Sequence, residues 1–188
     1  MPLTISVQSR HTLTSNLERR FPGAIILDVT SRGSQPWLRF SPFYPHGGIP
    51  VPFSPETLGA SVEGIWQALK VFEKSDIDVK KLAITTMKGI KRSSRSYGKV
   101  LGHRAGIDGD RLLSYLEARK QIYLPSYLWV LENFLGEEIE KIRHLAANGP
   151  ILLLDYETNC DVLDLTRPLS HAGLIKRYAE NAWPKDLS

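Results

Sequence analysis

Glu63, Gln67 and Lys70 are four and three residues apart, so on a helix an acid, an amide and an amine project from one face. A carboxylate and an adjacent amine can divide the roles of assisting a leaving group and stabilising the charge that its departure creates. Trp66 and the preceding segment WLRFSPFYPHGGIPVPFSPE (37–56) add aromatic rings, Phe43 and Tyr44 among them, that can stack on a flat ligand or pin the loop to the core. Spacing alone favours plainer roles: a solvated carboxylate near a helix N-terminus and a lysine laying its stem along a surface helix.

A second group lies downstream. Between Lys88 and Arg104, six cations (Lys88, Lys91, Arg92, Arg95, Lys99 and Arg104) occur without an intervening acid. Arg92, Ser94, Arg95, His103 and Arg104, interleaved with Gly89, Gly98 and Gly102, would suit a phosphate or pyrophosphate. A solvated charged face fits the same run, and neither GxxxxGK[ST] nor GxGxxG is present. Asp155, Asn159, Asp161 and Asp164 crowd the end of an apolar run, where either a ligand or an ordinary turn would use them. The five histidines lack HxH and HExxH spacing and Cys160 is alone, so no metal and no cofactor are expected. Ser170, His171 and Asp164 make a triad on paper, but no GxSxG turn accompanies them.

These groups must be held by a scaffold. Leu13 and Leu17 before Phe21-Pro22-Gly23 predict a helix over about 11–20, and AIILDV (24–29) a short buried strand. Prolines at 36, 42, 45, 50, 52 and 55 predict a long structured loop from 35 to 55. Ser61 is a candidate cap for a helix whose stripe is Val62, Ile65, Trp66, Leu69 and Phe72, ending near Lys74-Ser75. Residues 80–88 are ambiguous and 93–98 read as loop. Helical spacing continues over 108–124 and 125–147, with Pro125 in the first turn of the second helix. ILLL (151–154) reads as a buried strand with Asp155 at its carboxyl end, and 170–182 as a closing helix. The expected fold is one mostly helical α+β domain, residues 1–188, with a few short strands.

The 188 residues are 42% hydrophobic and 23% charged, the balance of an ordinary globule, and the net charge of +4 is mildly basic. No export signal or membrane-spanning run is read, and the single cysteine is consistent with a cytoplasmic setting.

FSPFYP (40–45) and SVEGIWQALK (61–70) resemble the paired NADAR-family signatures LSNFYP and SVEHxYQAxK, with Pro42 in place of Asn and Gly64 in place of His. YGKVLGHR (97–104) is similar to that family's basic segment and PSYLWVLENF (125–134) to its following helix, so the resemblance covers about residues 37–161. It implies hydrolysis of an N-glycosidic bond in a phosphorylated ribosylated base or an ADP-ribose adduct, free or attached to nucleic acid. Glu63 would handle the proton and Lys70 would capture the opened sugar. Asp155, a loose counterpart of the family's Thr-Gly-Asp, would be a second acid. Substrate contacts would come from Arg39, Ser41, Phe43, Tyr44, Trp66, Gln67, Arg92, Arg95, His103 and Arg104. The alternative is a nucleotide- or nucleic-acid-binding module without catalysis.

Overall fold

A computed structural model describes residues 3–184. In chain order it contains β1 (Ile5–Ser9), α1 (Thr14–Arg20), β2 (Ile25–Asp28), β3 (Ile49–Val51), β4 (Ser54–Gly59), α2 (Val62–Leu69), β5 (Lys70–Phe72), α3 (Ser94–Tyr97), β6 (Val100–Arg104), β7 (Leu112–Leu113), α4 (Tyr115–Ala118), α5 (Leu124–Phe134), α6 (Gly136–Asn148), β8 (Ile151–Asp155) and α7 (His171–Ala179). The class is mixed α+β with more helix than strand. Among the described residues no helix is long and apolar enough to cross a membrane. The chain divides into two compact units, Met1–Ser41 with Leu135–Ser188, and Pro42–Phe134.

The first unit is built on a parallel sheet of order β1-β8-β2. Its central strand is ILLLD, every residue buried, as a strand paired on both edges and covered on both faces requires. Leu152 and Leu154 pack with Leu17 of α1 and with Phe21, Ala24 and Ile26. Helix α7 packs on β1 and β8, and α6 packs on α7. Strand β1 is absent from the sequence reading, because ISVQS carries only a short alternating pattern and acquires its edge position from distant β8.

In the second unit β3 and β4 form an antiparallel ribbon, and β5-β6-β7 a small antiparallel sheet. The expected long loop is therefore a ribbon in its later part, with Pro50 and Pro55 on an isolated pair of strands and Pro52 in the turn between them. Three expected helices change. The Glu63 helix stops at Leu69, where Lys70 turns extended and starts β5, instead of running to Lys74-Ser75. The helix expected over 108–124 begins only at Tyr115, after a capping box in which Ser114 and Glu117 bond each other's backbone N–H groups. It passes through a π turn at Arg119–Tyr123 straight into α5, so Pro125 lies past a helix junction and not at a free start. The Leu124 N–H reaches back to the Arg119 carbonyl, and Pro125, lacking an N–H, interrupts the ladder beside that turn. The helix expected over 125–147 is broken by non-helical Leu135 into α5 and α6.

Candidate functional site

Helix α2 is placed by its cap and by a close approach. The Ser61 hydroxyl accepts the Gly64 N–H at 3.0 Å, and a Cβ on Gly64 would stand 2.8 Å from the Lys81 carbonyl oxygen. The helix therefore lies against the 3-10 turn Val79–Ala83 with no room for a side chain at 64, where the NADAR pattern has His. The Glu63 N–H donates to the Pro42 carbonyl at 2.8 Å, fastening the start of the aromatic loop to the first turn of the helix.

From this backbone Glu63, Gln67 and Lys70 converge. Gln67, buried, donates its amide Nε2 to Glu63 Oε1 at 2.8 Å, and its Oε1 accepts the Arg92 N–H at 3.0 Å. Burial pushes the Glu63 carboxyl above its ordinary pKa, partly offset by the Gln67 hydrogen bond and by the charges of Lys70 and Lys91. Burial pushes the Lys70 amine below its ordinary value against the attraction of Glu63, and the nearby cations Arg92 and Lys91 add to the lowering. An acid and an amine are thus both biased toward their neutral forms, the states in which one donates a proton and the other a lone pair.

Trp66 forms the adjoining wall. The Lys70 ammonium is 5.9 Å from its ring centroid, His103 packs on it at 3.8 Å, and Tyr115 and Tyr123 meet it edge to face at 6.0 and 5.7 Å. His103 is 1% exposed and neither ring nitrogen has a hydrogen-bond partner. Burial, with the Lys70 charge second, lowers its pKa to about 3, so the ring is neutral.

A profile described as "Family of unknown function (DUF6939)" matches residues 9–175, most of the chain. The chain belongs to the DUF6939 family. No curated protein matches it.

In this DUF6939 protein several expected substrate contacts are already occupied. Arg92 is buried and its guanidinium donates to the carbonyls of Gln67, Lys70 and Asp76 and to the Ser75 hydroxyl, so it clasps protein backbone and is unavailable to a phosphate. Arg104 forms a two-pronged pair with Asp76, Nε to Oδ1 at 3.2 Å and Nη2 to Oδ2 at 2.9 Å, and also reaches the Asp110 carbonyl. His103 packs against the Trp66 ring at 3.8 Å and takes up stacking surface there. Arg95 is exposed on α3. Tyr44 packs against His46 at 4.7 Å, which stacks on Phe134, so this part of the aromatic loop is anchored by rings. Phe43 lies 5.4 Å under the Lys91 ammonium.

Arg39, Ser41 and Asp155 belong to the first unit. Arg39 pairs with buried Glu138, and Ser41 is buried at the end of the 3-10 turn Trp37–Phe40. Asp155 receives hydrogen bonds from the Ser170 hydroxyl at 2.7 Å and the Ala172 N–H at 3.2 Å, and its Oδ2 is 2.9 Å from His171 Nδ1. Burial opposes its charge, but His171 and these hydrogen bonds hold its pKa below the usual carboxylate value. It is therefore ionised and cannot serve as the second proton donor. Ser170 also caps α7 by accepting the Gly173 N–H, so Ser170 and His171 of the paper triad are engaged with Asp155 and the start of the helix. Among the described residues no cluster of three or more His, Cys, Asp or Glu is disposed to hold a metal.

Four side chains around the site have no site role in the sequence analysis: Lys91, named there only as one cation of the basic run, and Tyr115, Arg119 and Tyr123. Lys91 is lost within a charge run. Tyr115, Arg119 and Tyr123, four apart, did carry a legible spacing, and Arg119, almost fully buried, lies 4.8 Å over the Tyr115 ring and donates to its hydroxyl.

Proposed function

We propose that this protein hydrolyses an N-glycosidic bond, with a phosphorylated ribosylated base or an ADP-ribose adduct as substrate. The observation that carries the reading is the Glu63, Gln67 and Lys70 row, a carboxyl with raised pKa joined through an amide to the neighbourhood of an amine with lowered pKa. Protonated Glu63 gives its proton to the departing base nitrogen as the carbon–nitrogen bond breaks. The Lys70 lone pair forms a new bond to the same sugar carbon, losing a proton to the Glu63 carboxylate, and opening of the sugar ring gives an imine. One water then adds to that imine, returning the free amine and the reducing sugar. The balance is one water consumed, one base and one sugar released.

Lys91 supports the anionic class of substrate. Its charge acts on both Glu63 and Lys70, and its ammonium stands over Phe43. The phosphate contact assigned by sequence to Arg92 and Arg104 passes to Lys91 in this reading, with Arg95 exposed on α3 beyond it.

The test is release of free base, followed by mass spectrometry, from ADP-ribosylated nucleosides and ribosylamino phosphates with wild type, Glu63→Gln and Lys70→Met. Release by wild type alone is expected, together with a borohydride-trapped sugar adduct at Lys70. Binding of these compounds without release by wild type would replace catalysis with nucleotide binding.

A further inference from the structure

Arg92 bonds Gln67 and the Lys70 backbone directly and reaches Glu63 through the Gln67 amide. Helix α2 ends at Leu69, leaving its last carbonyls without helical partners. Arg92, far away in sequence, supplies donors: Nη1 to the Gln67 carbonyl at 3.2 Å and to the Lys70 carbonyl at 2.6 Å. Nη2 is tied at the other side to Ser75 Oγ at 2.8 Å and the Asp76 carbonyl at 2.7 Å. The guanidinium lies beside the rings of Phe72 and Tyr97, 4.8 and 5.2 Å from their centroids, the two rings themselves being 5.5 Å apart, and the residue is only 7% exposed.

Its main chain acts on the same row. The Arg92 N–H can meet only an acceptor, so Gln67 turns its carbonyl oxygen to it and its NH2 to Glu63. One residue thereby orients the amide that grips the acid and bolts down the backbone from which the amine springs.

We infer that Arg92 is the positioning residue of this site, holding Lys70 at the helix-to-strand junction and setting the orientation of Gln67 toward Glu63. The inference deepens the glycosidase reading, since it gives the proposed nucleophile and acid a common support. Lysine in its place keeps the charge, but three ammonium protons at one point cannot serve four acceptors spread across a planar fork.

Reductive methylation with formaldehyde and dimethylamine–borane, read per lysine by mass spectrometry across pH, tests the role without any substrate. In wild type, Lys70 reacts with a midpoint below the ordinary lysine value. In Arg92→Lys the Lys70 midpoint is expected to move back toward that value by about tenfold or more in proton concentration. Ser75→Ala, which removes one acceptor and leaves the guanidinium, should shift it the same way by about two- to threefold and decides the matter if Arg92→Lys does not fold. A lower melting temperature with an unmoved Lys70 midpoint in the folded variants would reduce Arg92 to a packing residue and overturn the inference. Base release bears on the glycosidase separately: no release with a displaced midpoint removes that reading and keeps Arg92's role, while release with an unmoved midpoint does the reverse.

Discussion

Each unit buries a histidine beside charged groups, with opposite outcomes. In the first unit His171 has an acceptor at each ring nitrogen, Asp155 Oδ2 at 2.9 Å and the Val29 carbonyl at 2.8 Å, so both nitrogens carry protons and the ring is a cation. Burial opposes that charge, but Asp155 and the two hydrogen bonds raise its pKa. In the second unit His103 has a partner at neither nitrogen, and its pKa falls to about 3. The difference separates two uses of buried polarity. The Asp155 and His171 pair is saturated by its neighbours and holds β8, α7 and the segment after β2 together. The Glu63, Lys70 and His103 set is desolvated with its bonding capacity only partly used, which costs stability and leaves groups able to react.

The sharpest way to break this contrast is to remove one partner of the saturated pair. Asp155→Ala leaves the His171 charge buried and should lower unfolding free energy by ~3–5 kcal/mol, read from urea denaturation. A loss below about 1 kcal/mol would mean the pair is dispensable and the contrast misdrawn.

In the other unit Glu63→Gln should do the reverse, cutting base release by about 100-fold or more while leaving the melting temperature equal or higher. The sign follows from the raised pKa: the folded state favours the protonated form, so ionisation at neutral pH works against folding, and a neutral amide removes that penalty. Parallel loss of activity and stability would make Glu63 a structural residue.

The two histidines should also tilt stability in opposite directions with pH. His103 has a folded pKa far below the ordinary histidine value of about 6.5, so its contribution is complete above that value and is lost as pH falls toward about 3. For His171 the folded pKa is raised, so its contribution is complete below about 6.5 and is lost as pH climbs through the folded value. Asp155, held low, adds stability above about 4 that disappears on further acidification. Denaturation midpoints between pH 4 and 9 should flatten on the acid side in His103→Phe and on the alkaline side in His171→Gln. The smallest effect expected is on stability at neutral pH in His103→Phe, a gain of about 1 kcal/mol as two unpartnered buried nitrogens are removed. A substantial loss would show that His103 is bonded in solution after all.

Much of the scaffold was legible because its signals are local. The Ser61 cap, the apolar stripe of α2, the continuous apolar run of β8 and the proline-dense segment each act within a few residues. The row of Glu63, Gln67 and Lys70 was legible for the same reason, although Lys70 proves to stand just past the helix. The end of α2 was not, since Val71 and Phe72 continue a plausible helical stripe and only pairing with β6 draws them into a strand. Nor was the break in the helix expected over 125–147, where the leucine spacing runs on through Leu135 while the backbone does not.

The sequence by itself determined which chemical groups are available and which local segments carry them, because caps, turns and hydrophobic periods are settled by neighbours in the chain. Only the tertiary structure decided what each charged group faces. Arg92 meets helix-end carbonyls, Arg104 meets Asp76, Asp155 meets His171, and Glu63 and Lys70 are desolvated side by side. The reason is that the state of a charge depends on burial and on partners brought from tens of residues away, and neither is written in the spacing of a motif.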